Sequence, residues 1–494
     1  MSILDFVPEG YTLRKEQESI LTELRAAEDC KFVAIKGAVA IGKSLVANIL
    51  ADYYKSKGLS TAILTPQLIL QDQYHRDFPL RAVLKGASHY PCHSLKQRTC
   101  AEFEDKYDYK CKGCTYTTAL KEAKNAKIAI FNFHSYMANL RDPDTFKDIL
   151  IIDEAHNLLS SMFEMFTLRL WKNKDPNITK IDSKDDLIIY LESELVELKK
   201  LSMELKKSKS NKELKEVRSK IMKYDDMIFG LQNSPDIFFI HRGRDKYRNK
   251  LDDFLEIQPL KLSNISKLLW PAKHVKKIIF MSATLSPILM ERLGIAEPIH
   301  FIEGDSPIPK DSRPCIAWGR VALNYNNYEE SVKILAQQLN ELKEVHKGKG
   351  IIHTTYRLAE MFKPHLKDKR FVWHDKESKH EAYNTFLVSK DQVLIACGMS
   401  EGIDLVGEGF EWQAITKIQY PNLGEPINKY IANKYSSWYN WDTAQVILQQ
   451  YGRICRTPTD KGITYILDGA FRRFYNQNSN LFPKYFKDAI KWKE

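Results

Sequence analysis

Gly37-Ala38-Val39-Ala40-Ile41-Gly42-Lys43-Ser44 follows the apolar run Phe32-Val33-Ala34-Ile35 and runs directly into Leu45-Val46-Ala47-Asn48-Ile49-Leu50. An apolar run, a glycine-bounded loop and a second apolar stretch predict a strand, a loop and a helix. The loop has the G-x-x-x-x-G-K-[ST] spacing of a phosphate-binding loop. Its glycines let backbone N–H groups wrap phosphate oxygens, its lysine places a point charge at the β- and γ-phosphates, and its serine hydroxyl can ligate Mg²⁺. Gly37, Gly42, Lys43 and Ser44 are therefore candidate ATP-binding residues, with Lys43 acting also in catalysis and Ser44 as a Mg²⁺ ligand. A plain glycine turn ahead of a helix is the simpler reading, and the strand–loop–helix setting argues against it.

Working outward, Tyr11-Thr-Leu-Arg14-Lys-Glu-Gln17 opens an amphipathic helix carried on by Ile20, Leu21 and Leu24. Gln17 lies close ahead of the loop and can read an adenine edge; a solvated helix residue is the plainer alternative. Downstream, Thr61-Ala-Ile-Leu64-Thr65-Pro66 reads as a second buried strand, and Leu70-Gln71-Asp-Gln73 starts another helix. Strand and helix in alternation predict a parallel α/β sheet with ligands at the carboxyl ends of its strands. Ile128–Asn132 and Asp148–Ile152 read as further strands, the second running straight into Asp153-Glu154-Ala155-His156. Two carboxylates at the end of a buried strand suit a Walker B site: Asp153 would hold Mg²⁺ through water and Glu154 would polarise the attacking water.

With 494 residues, the chain exceeds what one hydrophobic core serves, and two to four domains are expected. Its net charge of +11 fits a phosphate-backbone partner without requiring one. No apolar run reaches the ~18–20 residues of a membrane span, and no basic-then-apolar leader opens the chain. A cytoplasmic location is expected, with a nuclear one left open, and no membrane partner. Four of the eight cysteines fall within 23 positions, at Cys92, Cys100, Cys111 and Cys114, spaced C-x7-C-x10-C-x2-C. Without a secretion signal this clustering favours a metal site over disulfides. Four thiolates suit zinc or an iron–sulfur cluster; only one close pair is present, where a zinc ribbon usually offers two.

From about residue 160 to 268 the texture becomes charged, with Leu191, Leu195, Leu198 and Leu205 at helical spacing and lysines dense through 199–223. A helical insertion is expected. Within it His241-Arg242-Gly-Arg244-Asp-Lys246-Tyr247-Arg248-Asn-Lys250 sets bases around an aromatic, a candidate for phosphate contact. The α/β texture returns at Lys277–Met281, which leads into Ser282-Ala283-Thr284, and continues through strands at Gly350–Thr354 and Gln392–Cys397. Gln449, Gly452, Arg453 and Arg456 follow an apolar helical stretch; two arginines three apart are expected to share one helix face.

This ordered set resembles superfamily 2 helicases of the XPD/DinG type. Gly37–Ser44 is similar to motif I, Thr65-Pro66 with Gln73 to motif Ia, Asp153-Glu154-Ala155-His156 to the DEAH box, Ser282-Ala283-Thr284 to motif III, and Thr355-Tyr356 to motif IV. Glu401-Gly402-Ile403-Asp404 resembles motif V, and Q-x-x-G-R-x-x-R of motif VI is matched by Gln449 to Arg456. The resemblance implies two RecA-like α/β domains, the first interrupted by a 4Fe–4S segment and a helical arch. Residues 1–90, 117–160 and 269–310 would form the first domain, 91–116 the cluster segment, 161–268 the arch, and 311–494 the second domain. It implies ATP between the two domains, Asp404 among the ATP-binding residues, and catalytic roles for Gln449, Arg453 and Arg456 beside Lys43, Asp153 and Glu154. It places the cluster on Cys92, Cys100, Cys111 and Cys114. The implied activity is ATP-dependent, 5′-to-3′ DNA unwinding on single strands and duplex junctions, by a chain expected to be monomeric. A DNA clamp with weak turnover and a translocase that remodels protein–DNA complexes without unwinding are the alternatives. The chain departs from the family at Ala40 and Val39, where glycine and threonine are usual, and around Asp468–Arg472.

Overall fold

The computed structural model describes residues 2–94, 98–101, 113–208, 211–233, 238–247, 250–323, 327–399 and 410–493. They form two compact units, Met1–Lys36 with Lys43–Glu303, and Gly304–Glu494 together with the six residues Gly37–Gly42. The division after Glu303 falls seven residues ahead of the expected 310/311 boundary.

Among the described residues the first unit carries a seven-stranded sheet in the order Ile299–Gly304, Phe32–Gly37, Lys277–Ser282, Ile149–Asp153, Thr61–Thr65, Ile128–Asn132, Ala82–Leu84. From Phe32–Gly37 onward every neighbouring pair is parallel. Parallel strands are covered on both faces, so they read as unbroken apolar runs. Ile149, Leu150, Ile151 and Ile152 are all at most 1% exposed, which is why this run was legible as a strand. The helix Lys43–Ser56 buries Val46, Ile49, Leu50 and Tyr53. The register aligns the carboxyl ends of three adjacent strands: Lys36 is opposite Ser282, and Met281 is opposite Asp153. Residues that follow these ends are therefore brought together whatever their distance in sequence.

The insertion corrects one expectation. Helices Lys184–Ser208 and Asn211–Asn233 pack as a pair, as the leucine spacing required. The flanking sequence is not helical: Leu168–Trp171, Lys250–Pro259 and Phe238–Tyr247 form a three-stranded antiparallel sheet in that order. Apolar residues that bury one sheet face, Leu168 and Leu170 with Leu255 and Ile257, keep this segment extended. Gly243 lies opposite Phe254, and a Cβ there would stand 2.5 Å from that ring.

In the second unit the described strands form a parallel sheet in the order Phe371–Val372, Val393–Cys397, Lys349–Thr354, Phe410–Ile415, Ile463–Asp468, Cys315–Val321, Ile490–Trp492. Trp412, fully buried, anchors one core with Leu335, Leu339, Phe362 and Leu467. Both sheets have the doubly covered parallel architecture expected of RecA-like domains.

Candidate nucleotide and magnesium site

Lys43 is the first residue of its helix, Asp153 the last of its strand, and Ser282 the last of the strand between. The phosphate loop takes left-handed backbone twice, at Gly42 (φ 79°) and at Ala40 (φ 68°). Alanine pays a steric penalty there that glycine does not, so the substitution at Ala40 falls where the glycine usual in the family would be unstrained. Glu154 is also left-handed at φ 47°, a strained position directly after Asp153.

Asp153 is 2% exposed. Its Oδ2 accepts a hydrogen bond from the Tyr74 phenol at 3.0 Å, and its Oδ1 accepts one from the Glu154 amide at 3.0 Å. Burial, followed by the neighbouring Glu154 carboxylate, pushes the Asp153 carboxyl up to about 6, against the opposing pull of Lys43, Tyr74 and the amide. A buried carboxyl held above its ordinary range is short of positive charge, and a divalent cation supplies it; Asp153 fits a Mg²⁺ ligand on that ground.

Glu154 sits at the centre of a polar network. Its Oε1 is 3.1 Å from Lys43 Nζ, and its Oε2 is 3.4 Å from His156 Nδ1. Ser282 Oγ lies 2.7 Å from His156 Nδ1 and donates to Glu154 Oε2 at 3.5 Å. The Thr284 amide in turn donates to Ser282 Oγ at 3.3 Å. With the imidazole proton on Nδ1, the chain runs from His156 through Ser282 to Glu154. Lys43, Glu154, His156, Ser282 and Thr284 thus form one connected cluster. Sequence reasoning missed Tyr74, which carries no motif letter and reads as an ordinary helix residue; its only signal is proximity to Gln73.

Gln17 is neither solvated nor idle: it is 3% exposed, and its carboxamide oxygen accepts the Arg14 amide at 2.9 Å, capping its own helix. Gln449 lies in the last turn of the helix Ser436–Tyr451, but the two arginines do not share a helix face. Gly452 ends that helix, placing Arg453 and Arg456 in the turn beyond it, where the Asp460 carboxylate accepts the Arg456 and Thr457 amides at 2.7 and 2.8 Å. Arg453 is buried, with 8% exposure. Asp404 lies outside the described residues.

Cys92, Cys100 and Cys114 are buried in one cluster with Tyr90 and Tyr116 packed against it, and the Cys100 and Cys114 sulfurs are 3.6 Å apart. Burial holds the Cys100 thiol above its ordinary range; at Cys114 burial acts the same way but hydrogen bonds with Thr117 outweigh it and bring the thiol down. Cys111 lies outside the described residues, and among those described no group of three or more ligating side chains is disposed to hold a metal. In the insertion, Arg242 is engaged by the Ile178 and Ile181 carbonyls and by Asp182, and Arg244 by Asp253 at 2.7 Å. Arg242 thus ties the hairpin to the preceding segment, and Arg244 braces the hairpin from within. Arg248 lies outside the described residues. No described helix is long and apolar enough to cross a membrane.

Residues 10–184 match the family model of the type III restriction enzyme res subunit, and residues 333–489 that of the helicase C-terminal domain. No curated protein matches the chain in a sequence comparison. Among solved structures, an XPD helicase aligns at TM-score 0.63 and 17% identity over 98% of this chain and 100% of its own. Xpd4 of S. tokodaii aligns at TM-score 0.57 and 16% identity over 97% and 100%. These likenesses establish the fold. The first unit thus matches a res-subunit model and the second a helicase C-terminal model, so the chain carries helicase-type domains.

Proposed function

We propose that this protein is a DEAH-box DNA helicase that moves 5′ to 3′ on single-stranded DNA and couples ATP hydrolysis to duplex unwinding. The observation that carries the reading is the placement of Glu154, paired with the loop lysine on one oxygen and tied to Ser282 and His156 on the other. When ATP binds the loop at Gly37, Gly42 and Ser44, Lys43 exchanges Glu154 for the β- and γ-phosphates. That exchange releases one Glu154 oxygen to orient the attacking water, while the Ser282 contact holds the other. Ser44 and Asp153 would hold Mg²⁺, which neutralises phosphate charge when bound. Arg453 and Arg456 act on the charge that develops in the transition state, and Gln449 positions the γ-phosphate side of the reaction. Asp404 completes the ATP contacts on the strength of the family resemblance, and Gln17 on its position close ahead of the loop.

The 4Fe–4S assignment to Cys92, Cys100, Cys111 and Cys114 rests on the cysteine spacing and the family resemblance. Polarity and the DNA substrate, single strands and duplex junctions, rest on the resemblance. The test is ATP turnover with and without single-stranded DNA, in wild type and Lys43→Ala. DNA-stimulated turnover that Lys43→Ala abolishes, with strand binding retained, is the expected result. Near-normal turnover in Lys43→Ala would overturn the site assignment, and DNA binding without stimulated turnover would mark a clamp.

A further inference from the structure

Tyr74 is the least explained residue of the site. It is 1% exposed, on the helix Leu68–Asp77, and donates to Asp153 Oδ2 at 3.0 Å. A phenol has one proton, and here it goes to Asp153, which fixes one carboxylate oxygen in orientation. The second Asp153 oxygen is fixed by the Glu154 amide. A side chain from outside residues 37–44 and 153–156 thus helps to set the buried carboxylate that would hold Mg²⁺.

We infer that Tyr74 is a positioning residue for the magnesium site, setting the Asp153 carboxylate so that it presents lone pairs to the ion. The inference rests on the ATP-site reading and deepens it. Without the phenol, Asp153 loses a charge-assisted hydrogen bond and is free to turn, which raises the free energy of the metal-ready arrangement without touching a nucleotide contact. The ring itself packs beside Phe78, at 6.3 Å between centroids, and a phenylalanine keeps that packing.

The experiment titrates Mg²⁺ against a non-hydrolysable fluorescent ATP analogue bound to the full chain. In Tyr74→Phe the Mg²⁺ concentration for half-maximal binding is expected to rise about tenfold or more, the scale of one lost hydrogen bond to a charged group. Binding in EDTA is expected to stay at the wild-type level. In an Asp153→Asn background the same change should add little, because the partner it acts through is already altered. Tyr74→His, which keeps a ring and a donor, is expected to fall between wild type and phenylalanine, and decides the matter by itself should Tyr74→Phe not fold. A Mg²⁺ dependence in both Tyr74 variants equal to wild type would overturn the inference and leave the ATP site standing. A wild-type protein that binds the analogue with no Mg²⁺ dependence would overturn the magnesium-site reading and the inference with it.

Discussion

Asp153→Asn is expected to make the metal-free protein more stable. The carboxyl is buried and pushed up from 3.8 to about 6, so the folded protein holds its proton more tightly than the unfolded chain does. A group of this kind stabilises the fold below its unfolded pKa, and that contribution is lost as pH rises through the folded one. Above pH 7 the ionised carboxylate therefore stands as a native-state penalty of roughly 3 kcal/mol, at about 1.4 kcal/mol for each tenfold in proton affinity. Asparagine carries no such penalty: its single oxygen can accept the Glu154 amide and its NH2 can donate to the Tyr74 phenol oxygen. In EDTA, Asp153→Asn should gain roughly 3 kcal/mol at pH 8 and about half that at pH 5, where much of the native carboxyl is already protonated. Urea unfolding read through hydrogen exchange of the Ile149–Asp153 amides follows the first sheet by itself. Saturating Mg²⁺ should reverse the order, since only the wild type keeps the full ligand charge. A variant less stable than wild type at pH 8 in EDTA, or a difference independent of pH, would refute the reasoning.

Ala40→Gly should cost no stability, because relief of the left-handed strain offsets the extra freedom of the unfolded chain, whereas Ala40→Val should lose about 1–2 kcal/mol by thermal unfolding. Arg453→Ala and Arg456→Ala should each lower turnover roughly 10³-fold while changing ATP affinity far less; equal losses in both would make that residue a ground-state contact. Gly243→Ala should destabilise the insertion by about 1–3 kcal/mol, since its Cβ meets the Phe254 ring, and limited proteolysis of the Phe238–Pro259 hairpin reads that loss. Protein purified without air should contain iron and acid-labile sulfide and lose stability on chelation; one zinc and no iron would assign the thiols to a zinc site instead.

The parallel sheets and the residues that gather around Glu154 were legible because their signals are local. Ile149–Ile152 is a run of four apolar residues ending in two carboxylates, and nothing beyond the run is needed to identify a buried strand. What joins Lys43, Glu154 and Ser282 is the strand register, which the motifs imply but do not contain. The insertion sheet was hidden by composition: Lys, Arg and Asp dominate Arg242–Lys250, and the buried residues of the hairpin gather at its far end, in Phe238 and residues 254–257, with no period-two pattern to mark the strands. Two of the charges that suggested phosphate contact are engaged within the insertion, Arg244 by Asp253 and Arg242 by the segment 178–182. The arginine turn was misread as helix although Gly452, the usual stop signal, stands between Tyr451 and Arg453. Tyr74 was beyond reach, since a phenol that reaches another element across the fold leaves no periodic mark.

The helicase reading meets its most direct test in strand displacement. Matched duplexes with a 5′ tail, a 3′ tail or blunt ends are mixed with the protein, ATP and Mg²⁺, and release of the labelled strand is timed. Release fastest from the 5′-tailed duplex, absent without ATP and absent in Lys43→Ala, is the expected result. Faster release from the 3′ tail would contradict the polarity, and DNA-stimulated ATP turnover with no release from any substrate would contradict unwinding itself.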